Sequence, residues 1–597
     1  MQLDITNNKF KIYSLAVVSI LVSILYFNSI NCSFQFDDET SIINNSQIKD
    51  LQTFKQASFW FSSKFITRPF SLFTFALNYY FTGLNSQAFH VTNIIIHIIN
   101  SFLLLLLLLK LVTIEKKEIS KTTYLFILLS VSYFAIHPLQ TQSVTYIVQR
   151  MTSLAFLFYI LTIFIYTTIR TNQIKGNTFI KNTLLSILLG ITALLALLSK
   201  QNSITLPISI LIIEAVLFTK IEKKYSKFYI ALTALVSIAI ISLLIYNILT
   251  FNTTNYSSFN YFTTQCEHVF KYIGMVIFPI NQNIDHLIPF KETLSIIAIL
   301  GFIVSLAMIL FAIFNKKISK LLRIGILLIF STSLIESSFF PIADTFVEHR
   351  TYLSFIGIVF ITFYLLSIVP EKWQKIGSLL FISYLIVLSI MTIQRNKAWQ
   401  SKITLWSDSV KKTPNNYRAL NNLGYALIEE HKYEEAIHFL KKSLLISPNR
   451  TANIINLGAC YNALNMHHEA LMYFNKALKI NENNTDAYNN LGILYLKQNE
   501  PTKAEMCFKK SITIEPNKIN AYLHLSSLYY EQKKFNEVVD LINIIKKNDK
   551  TNVTMLNLYY LSLLETKNCS ELKIEMAKNK EFILKNNLYV KINEVCH

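Results

Sequence analysis

The sequence predicts an all-α protein, a polytopic bundle of about eleven membrane helices followed by an α-solenoid of helical repeats. Two observations predict it. Of the 597 residues 52% are hydrophobic, and the apolar residues concentrate before about residue 395. Beyond residue 416 one pattern returns every 34 residues. Length alone permits several domains. The expected divisions are a membrane domain over 1–395, a lead-in half repeat over 396–416, four repeats over 417–552, and a degenerate helical cap over 553–597.

A spanning helix needs roughly 20 apolar residues. The runs that qualify are 12–30, 91–111, 122–137, 151–169, 182–198, 203–219, 228–250, 293–314, 322–336, 351–369 and 375–394. The first, within "KIYSLAVVSILVSILYFNSI", is long for a signal-peptide core and lacks a small-x-small cleavage site, so it reads as a first span. The net charge of +20 sits largely in short loops between apolar runs, which fits the positive-inside rule and not nucleic-acid binding. With the N-terminus cytoplasmic, the loops "KLVTIEKKEISK", "RTNQIKGNTFIKN", "KIEKKYSK", "NKKISKLLR" and "PEKWQK" all fall inside, and every one is basic. Loops 31–90, 137–150, 199–203, 251–292 and 337–350 then fall outside, as does everything after 395. This requires that 266–280 be re-entrant or interfacial.

The repeats begin at Tyr417, Thr451, Thr485 and Ile519. Their period is that of the tetratricopeptide repeat. Gly424, Gly458 and Gly492 recur where paired helices pack closely, with Ser526 in the fourth place. Ala436, Ala470 and Ala504 are small contacts on the second helix. Phe474 and Phe508 are expected to fill the space between repeats, and Pro448 and Pro516 to end second helices. Trp406 and Pro414 stand one period before Leu440 and Pro448, which suggests the half repeat. Such arrays present a concave groove to peptides or proteins. The six cysteines show no metal spacing. Cys460 and Cys507 read as core, and a Cys32–Cys266 bridge outside the membrane is conceivable.

The external loops collect the polar residues: Asp37, Asp38, Arg68, His90, Asn93 and His97; His137, Gln142, Gln149 and Arg150; Lys200; Asp285 and His286; Asp344, Glu348, His349 and Arg350. Convergence on one side suits transfer from a lipid-linked sugar, where a carboxylate deprotonates an acceptor hydroxyl and Arg or Lys holds the departing phosphate. Plainer readings stand beside this one. From position alone Asp37–Asp38 reads more readily as a solvated helix end and His97 as a buried hydrogen-bonded histidine, while Arg68–Pro69 reads as a helix start and Glu348 with Arg350 as an ion pair.

The order of motifs is specific. "FQFDDETSIINN", "RPFSLFTFALNYYFTGLNSQAFHVTNIIIH", "HPLQTQSVTYIVQR", "LLSKQNSITLPISILIIE", "EHRTYLSFIGIV" and "QRNKAWQSKITLWSDSVKKTPNNYRALNNLGYAL" follow one another along the chain. The chain resembles, over nearly all its length, the transmembrane and tetratricopeptide-repeat-containing proteins. These are glycosyltransferases of the GT-C fold related to protein O-mannosyltransferases. The resemblance implies a GT-C-like membrane domain, a polyprenyl-phosphate sugar as co-substrate, and inverting transfer to a protein or peptide hydroxyl. It implies that Asp37 or Asp38, with Asp37 favoured, is the catalytic base. It implies that Glu348, His349, Arg350 and Lys200 bind the donor phosphate. Arg68, His90, His137 and Arg150 are further candidates. The family often has Glu where this chain carries Gln142 and Gln201. No residue cluster demands a metal, although a divalent ion between Asp37 and the donor phosphate is compatible with the residues. The expected setting is a bacterial inner membrane with periplasmic repeats, or alternatively an endoplasmic reticulum membrane with lumenal ones. The rival reading is a non-enzymatic anchored scaffold for envelope proteins. A transporter fits less well, because the charges gather in outer loops.

Overall fold

The computed structural model describes residues 8–60, 68–115, 119–175, 179–218, 257–288, 293–546 apart from 338, 340 and 343, then 553–578, 583 and 588–596. Every regular element described is helical. The chain forms two compact units, Met1–Lys412 and Thr413–His597. The boundary falls inside the segment 396–416, so the helix Lys402–Lys412 belongs to the first unit.

In the first unit, eight helices among the described residues are long and apolar enough to cross a membrane. They are Lys11–Ser29, Ser86–Glu115, Ile147–Ile174, Asn182–Ser199, Gln201–Phe218, Ile296–Phe314, Glu348–Ser367 and Glu371–Ala398. The run expected at 122–137 forms a ninth candidate, bent by 46° between Lys121–Ile136 and Pro138–Val144. Proline at 138 explains the break, because it cannot donate into a continuing helix. The run 228–250 lies outside the described residues. The run 322–336 yields a helix, Lys320–Ser333, of only 14 residues. Segment 266–280 falls largely in the helix Ser258–Ile277, whose buried face is polar through Thr263, Thr264, Gln265 and Glu267.

The core is mainly aliphatic, with an aromatic cluster within it. Phe134 and Phe156 stack at 4.9 Å, and Tyr352 meets both edge-on. His97 is fully buried between the Tyr352 hydroxyl at 2.7 Å and the Ala135 carbonyl at 3.0 Å. Helices Lys320–Ser333 and Thr351–Ser367 touch through Gly325 and Gly357, where a side chain would run into the other helix's backbone. Small residues allow that close approach, a common device between membrane helices. Asn182–Ser199, Ile296–Phe314 and Glu371–Ala398 bury only 17% of their apolar windows within the protein, as helices facing lipid do.

The second unit stacks helix pairs. Each pair turns through one left-handed residue: His431, Asn465, Asn499, Lys533 and Lys567, at φ from 52° to 60°. After each, a backbone N–H bonds back to the helix it has left, as in Lys432 to Leu427 and Asn568 to Leu563. This is the geometry of a Schellman cap. The turn at Lys567 keeps the 34-residue register, so the segment after 553 opens with a fifth hairpin, Val553–Glu565 and Cys569–Lys578. A side chain at Gly458 would lie 2.5 Å from the Phe474 ring. Phe474 and Phe508 therefore seat against the glycine of their own repeat, and Phe508 also stacks on His524 of the next. Cys460 is buried core and Cys507 half-buried. Cys32 and Cys266 are free and buried, and the bridge that forms is Cys569–Cys596. It ties the fifth hairpin to the final helix Leu588–Cys596.

Candidate active site

The two adjacent aspartates part company. Asp38 is 1% exposed. Its carboxylate accepts the Gln35 and Val148 backbone N–H groups at 2.8 and 2.7 Å, which closes a turn and pins loop one to the turn before helix Arg150–Ile174. Burial pushes this carboxyl up to about 8, against the pull of those two donors and of Arg150. Asp38 is thus a structural acid. Asp37 points out to solvent. Its backbone N–H donates to the Tyr146 hydroxyl at 2.9 Å, and that hydroxyl also bonds the carboxyl. The protein crowded around it raises the carboxyl above the usual range, the nearby Asp344 adds to this, and Tyr146 and Arg68 oppose it.

Three acids and three cations meet here. Arg68 lies within electrostatic reach of both Asp37 and Glu336. Lys200 pairs with Glu336 at 3.0 Å and donates to Thr152 at 3.1 Å. Arg350 donates to the backbone carbonyls of Glu336, Thr345 and Asp344 at 3.2, 3.1 and 2.6 Å. Asp344 closes the ring beside Asp37.

The three cations are not equivalent. Arg350 is spent on carbonyls and shapes the segment 336–345. Lys200 is neutralised by Glu336. Arg68 donates to the Gln201 amide oxygen at 3.2 Å and to the Met151 sulfur, and among the described residues it forms no ion pair. Burial lowers its guanidinium, and Glu336 and Asp37 oppose the shift. Its backbone is left-handed at φ 45°, just before Pro69 starts the helix Pro69–Thr82. A left-handed arginine is strained, and such strain persists where the surroundings enforce it. Arg68 also lines a cavity of about 220 Å³ with Thr40, Ser41, Asn45, Ser71 and Met151. An accessible carboxylate within electrostatic reach of a guanidinium that forms no ion pair among the described residues is equipped to take a proton and hold an anion.

Of the other candidates, His349 lies within electrostatic reach of Lys200, Arg350 and Arg68, and the rest are engaged by other partners. Glu348 and Arg350 do not pair with each other. Glu348 is fully buried and accepts from Gln282 at 3.2 Å, His286 at 3.2 Å and the Asn283 backbone. The His349 ring lies 3.2 Å from Gln142, whose amide also reaches the Asn283 carbonyl at 3.0 Å. His90 bonds the Cys32 carbonyl at 3.0 Å, and His137 the Val276 carbonyl at 2.9 Å. Arg150, wholly buried, is divided among Asn93, Asn78, Thr74 and Phe89. Glu348, His90, His137 and Arg150 fasten loops and helices, because buried polar groups must find partners. Glu336 is the member of the ring that the sequence reading passed over. The available signal was a lone acid at the end of an apolar run. Tyr146 carried no signal. No three His, Cys, Asp or Glu side chains converge as metal ligands among the described residues.

Fold and site define a class, the polytopic helical membrane protein that carries a tetratricopeptide array. The Tetratricopeptide repeat family model matches residues 415–483 and 450–516. Human protein O-mannosyl-transferase TMTC3 is 25% identical over 480 residues, covering 70% of this chain and 50% of that protein. Protein O-mannosyl-transferase F38B6.6 of Caenorhabditis elegans is 22% identical over 447 residues, covering 70% and 60%. Human TMTC4 is 31% identical over 209 residues, covering 32% and 27%. Among solved structures, a thermophilic TPR protein of Thermus thermophilus, TTC0263, is 18% identical with a TM-score of 0.26, covering 30% of this chain and 96% of that one. Over about 70% of its length the chain is similar to the protein O-mannosyl-transferases named TMTC3, and it carries tetratricopeptide repeats. It spans about half the length of the curated relatives it matches.

Proposed function

We propose that this chain is an integral-membrane glycosyltransferase that moves a sugar from a polyprenyl-phosphate donor to a hydroxyl of a protein acceptor. Asp37 takes the acceptor proton as the new glycosidic bond forms. The bond between the sugar and the phosphate oxygen breaks on the opposite face, and the lipid phosphate leaves as an anion. Arg68 holds that phosphate through its planar fork. Lys200 and Arg350 act more indirectly, by fixing Glu336 and Asp344 around the pair. The relatives are named for mannose, so a mannosyl donor is the first to try. The observation that carries the reading is the solvent-facing Asp37 carboxylate within electrostatic reach of Arg68, which forms no ion pair among the described residues.

The repeats would bind the acceptor or a partner protein. We place them on the outer face of the membrane, periplasmic in a bacterium, with the N-terminus cytoplasmic. The basic inner loops support this orientation. So does the Cys569–Cys596 bridge, because disulfides persist in oxidising compartments.

The test is transfer from a panel of radiolabelled polyprenyl-phosphate sugars by the protein in nanodiscs. Loss of a general base costs about 10²–10⁴-fold, so Asp37→Asn should lower turnover by that factor. Full turnover in Asp37→Asn would remove Asp37 from the chemistry. Neither turnover nor donor binding by the wild-type chain would favour the anchored scaffold.

A further inference from the structure

The start of the first external loop, residues 33–39, is held by a segment far away in the chain. The Ser33 N–H donates to the Gln400 carbonyl at 3.2 Å. The Gln35 amide donates to the Trp399 carbonyl at 3.3 Å, across 364 residues of sequence. The Phe36 ring meets the Trp406 ring edge-on at 5.5 Å. Glu39 pairs with Lys402. At its far end the same helix, Lys402–Lys412, places the Lys412 ammonium 2.7 Å from the Gln282 carbonyl, and Gln282 in turn bonds Glu348.

Phe36 shows why these contacts matter. It is left-handed at φ 45°, an outlier for a bulky residue. It is also 46% exposed, so burial alone does not hold it there. Asp37 follows directly, and the direction of its carboxylate depends on that torsion. Strain of this kind lasts only where neighbours over-determine it. The neighbours on this side are Trp406 and Lys402, one on each flank of Asp37.

We propose that the helix Lys402–Lys412 is a clamp that positions Asp37, with Trp406 and Lys402 as its positioning residues. The inference rests on Asp37 being the base. Its consequence is kinetic. Releasing the clamp misaims the base and lowers kcat, while the KM for donor, which depends on Arg68, stays.

The experiment uses the full chain in nanodiscs with two readouts, amide exchange over residues 34–44 and transfer kinetics. Trp406→Ala should speed exchange in loop one about tenfold, as local opening does. It should lower kcat by about 10²-fold, the scale of a small misplacement, with donor KM unchanged. Trp406→Phe keeps a ring and should restore both. Lys402→Glu should loosen the same amides, and Glu39→Lys with Lys402→Glu should restore them. The partly exposed ion pair decides the matter if Trp406→Ala misfolds. Unchanged exchange over 34–44 in Lys402→Glu, or no recovery in the charge swap, overturns the clamp. If the wild-type chain transfers no sugar, the glycosyltransferase reading falls, and the exchange data still decide whether the helix holds loop one.

Discussion

Asp37 and Asp38 share a backbone bond and differ in everything that matters to chemistry. The raised Asp37 carboxyl gives a signed prediction. A base works deprotonated, so turnover should fall as pH drops through its titration. That acid limb should lie above the ordinary aspartate value of about 3.9. A pH profile of kcat/KM whose acid limb falls at the ordinary value would remove burial as the cause. Asp38→Asn should act on stability instead. An amide offers one oxygen where two backbone N–H groups now bond, and its own N–H₂ would face a donor. Leaving a buried donor unmet costs about 1–3 kcal/mol, which thermal unfolding would register.

Arg170 and Glu214 behave as a unit as well. Their side chains are fully buried and joined by two hydrogen bonds at 2.9 Å. Removing one partner strands a buried charge, so Arg170→Met should cost about 3–5 kcal/mol. The double change Arg170→Met with Glu214→Leu should recover much of it, and a double-mutant cycle in detergent measures the difference.

Helices and hairpins raise a different question, that of how closely two backbones approach. In the repeats, Gly424 lets Leu440 come so near that a Cβ would sit 2.6 Å from its side chain. Gly492 and Phe508 repeat the arrangement two hairpins on. Gly492→Val should overpack that hairpin by about 1–3 kcal/mol, visible as faster exchange over helices Thr485–Lys497 and Pro501–Ile514. Unchanged protection would mean that the ring moves aside freely. These helices were readable in advance, because a 34-residue period and its small residues are local patterns. The bend at Pro138 was not among the expectations, although a proline after an apolar run is a local signal for it. The short helix Lys320–Ser333 was not readable, since hydropathy reports how apolar a run is and not where packing ends it.

For the molecule as a whole, the repeat unit is closed by Cys569–Cys596, two cysteines 27 residues apart in sequence. A bridge of this kind typically stabilises by about 2–4 kcal/mol. Reduction should therefore loosen helix Leu588–Cys596 in exchange measurements on the full chain, while the helices of the membrane unit keep their protection. No difference between oxidised and reduced protein would mean that packing alone holds the cap. The bridge also offers a check on orientation, since protein made in its native membrane should carry these two cysteines blocked to alkylation.

The membrane class, the repeat array and the set of basic loops were all legible in the chain. Each depends on composition within a window of a few tens of residues. Which carboxylate is open and which cation is free was decided only by folding. Arg150, Lys200 and Arg350 look as available as Arg68 in the sequence. Their partners, such as Asn93 for Arg150 and Glu336 for Lys200, lie 57 and 136 residues away. Desolvation and pairing act through space, so a charge is spent or spared by what the tertiary structure brings beside it. By that rule Asp37 stays exposed and Arg68 stays out of an ion pair among the described residues, and the helix Lys402–Lys412, which reads as the start of the repeats, comes to rest against residues 33–39.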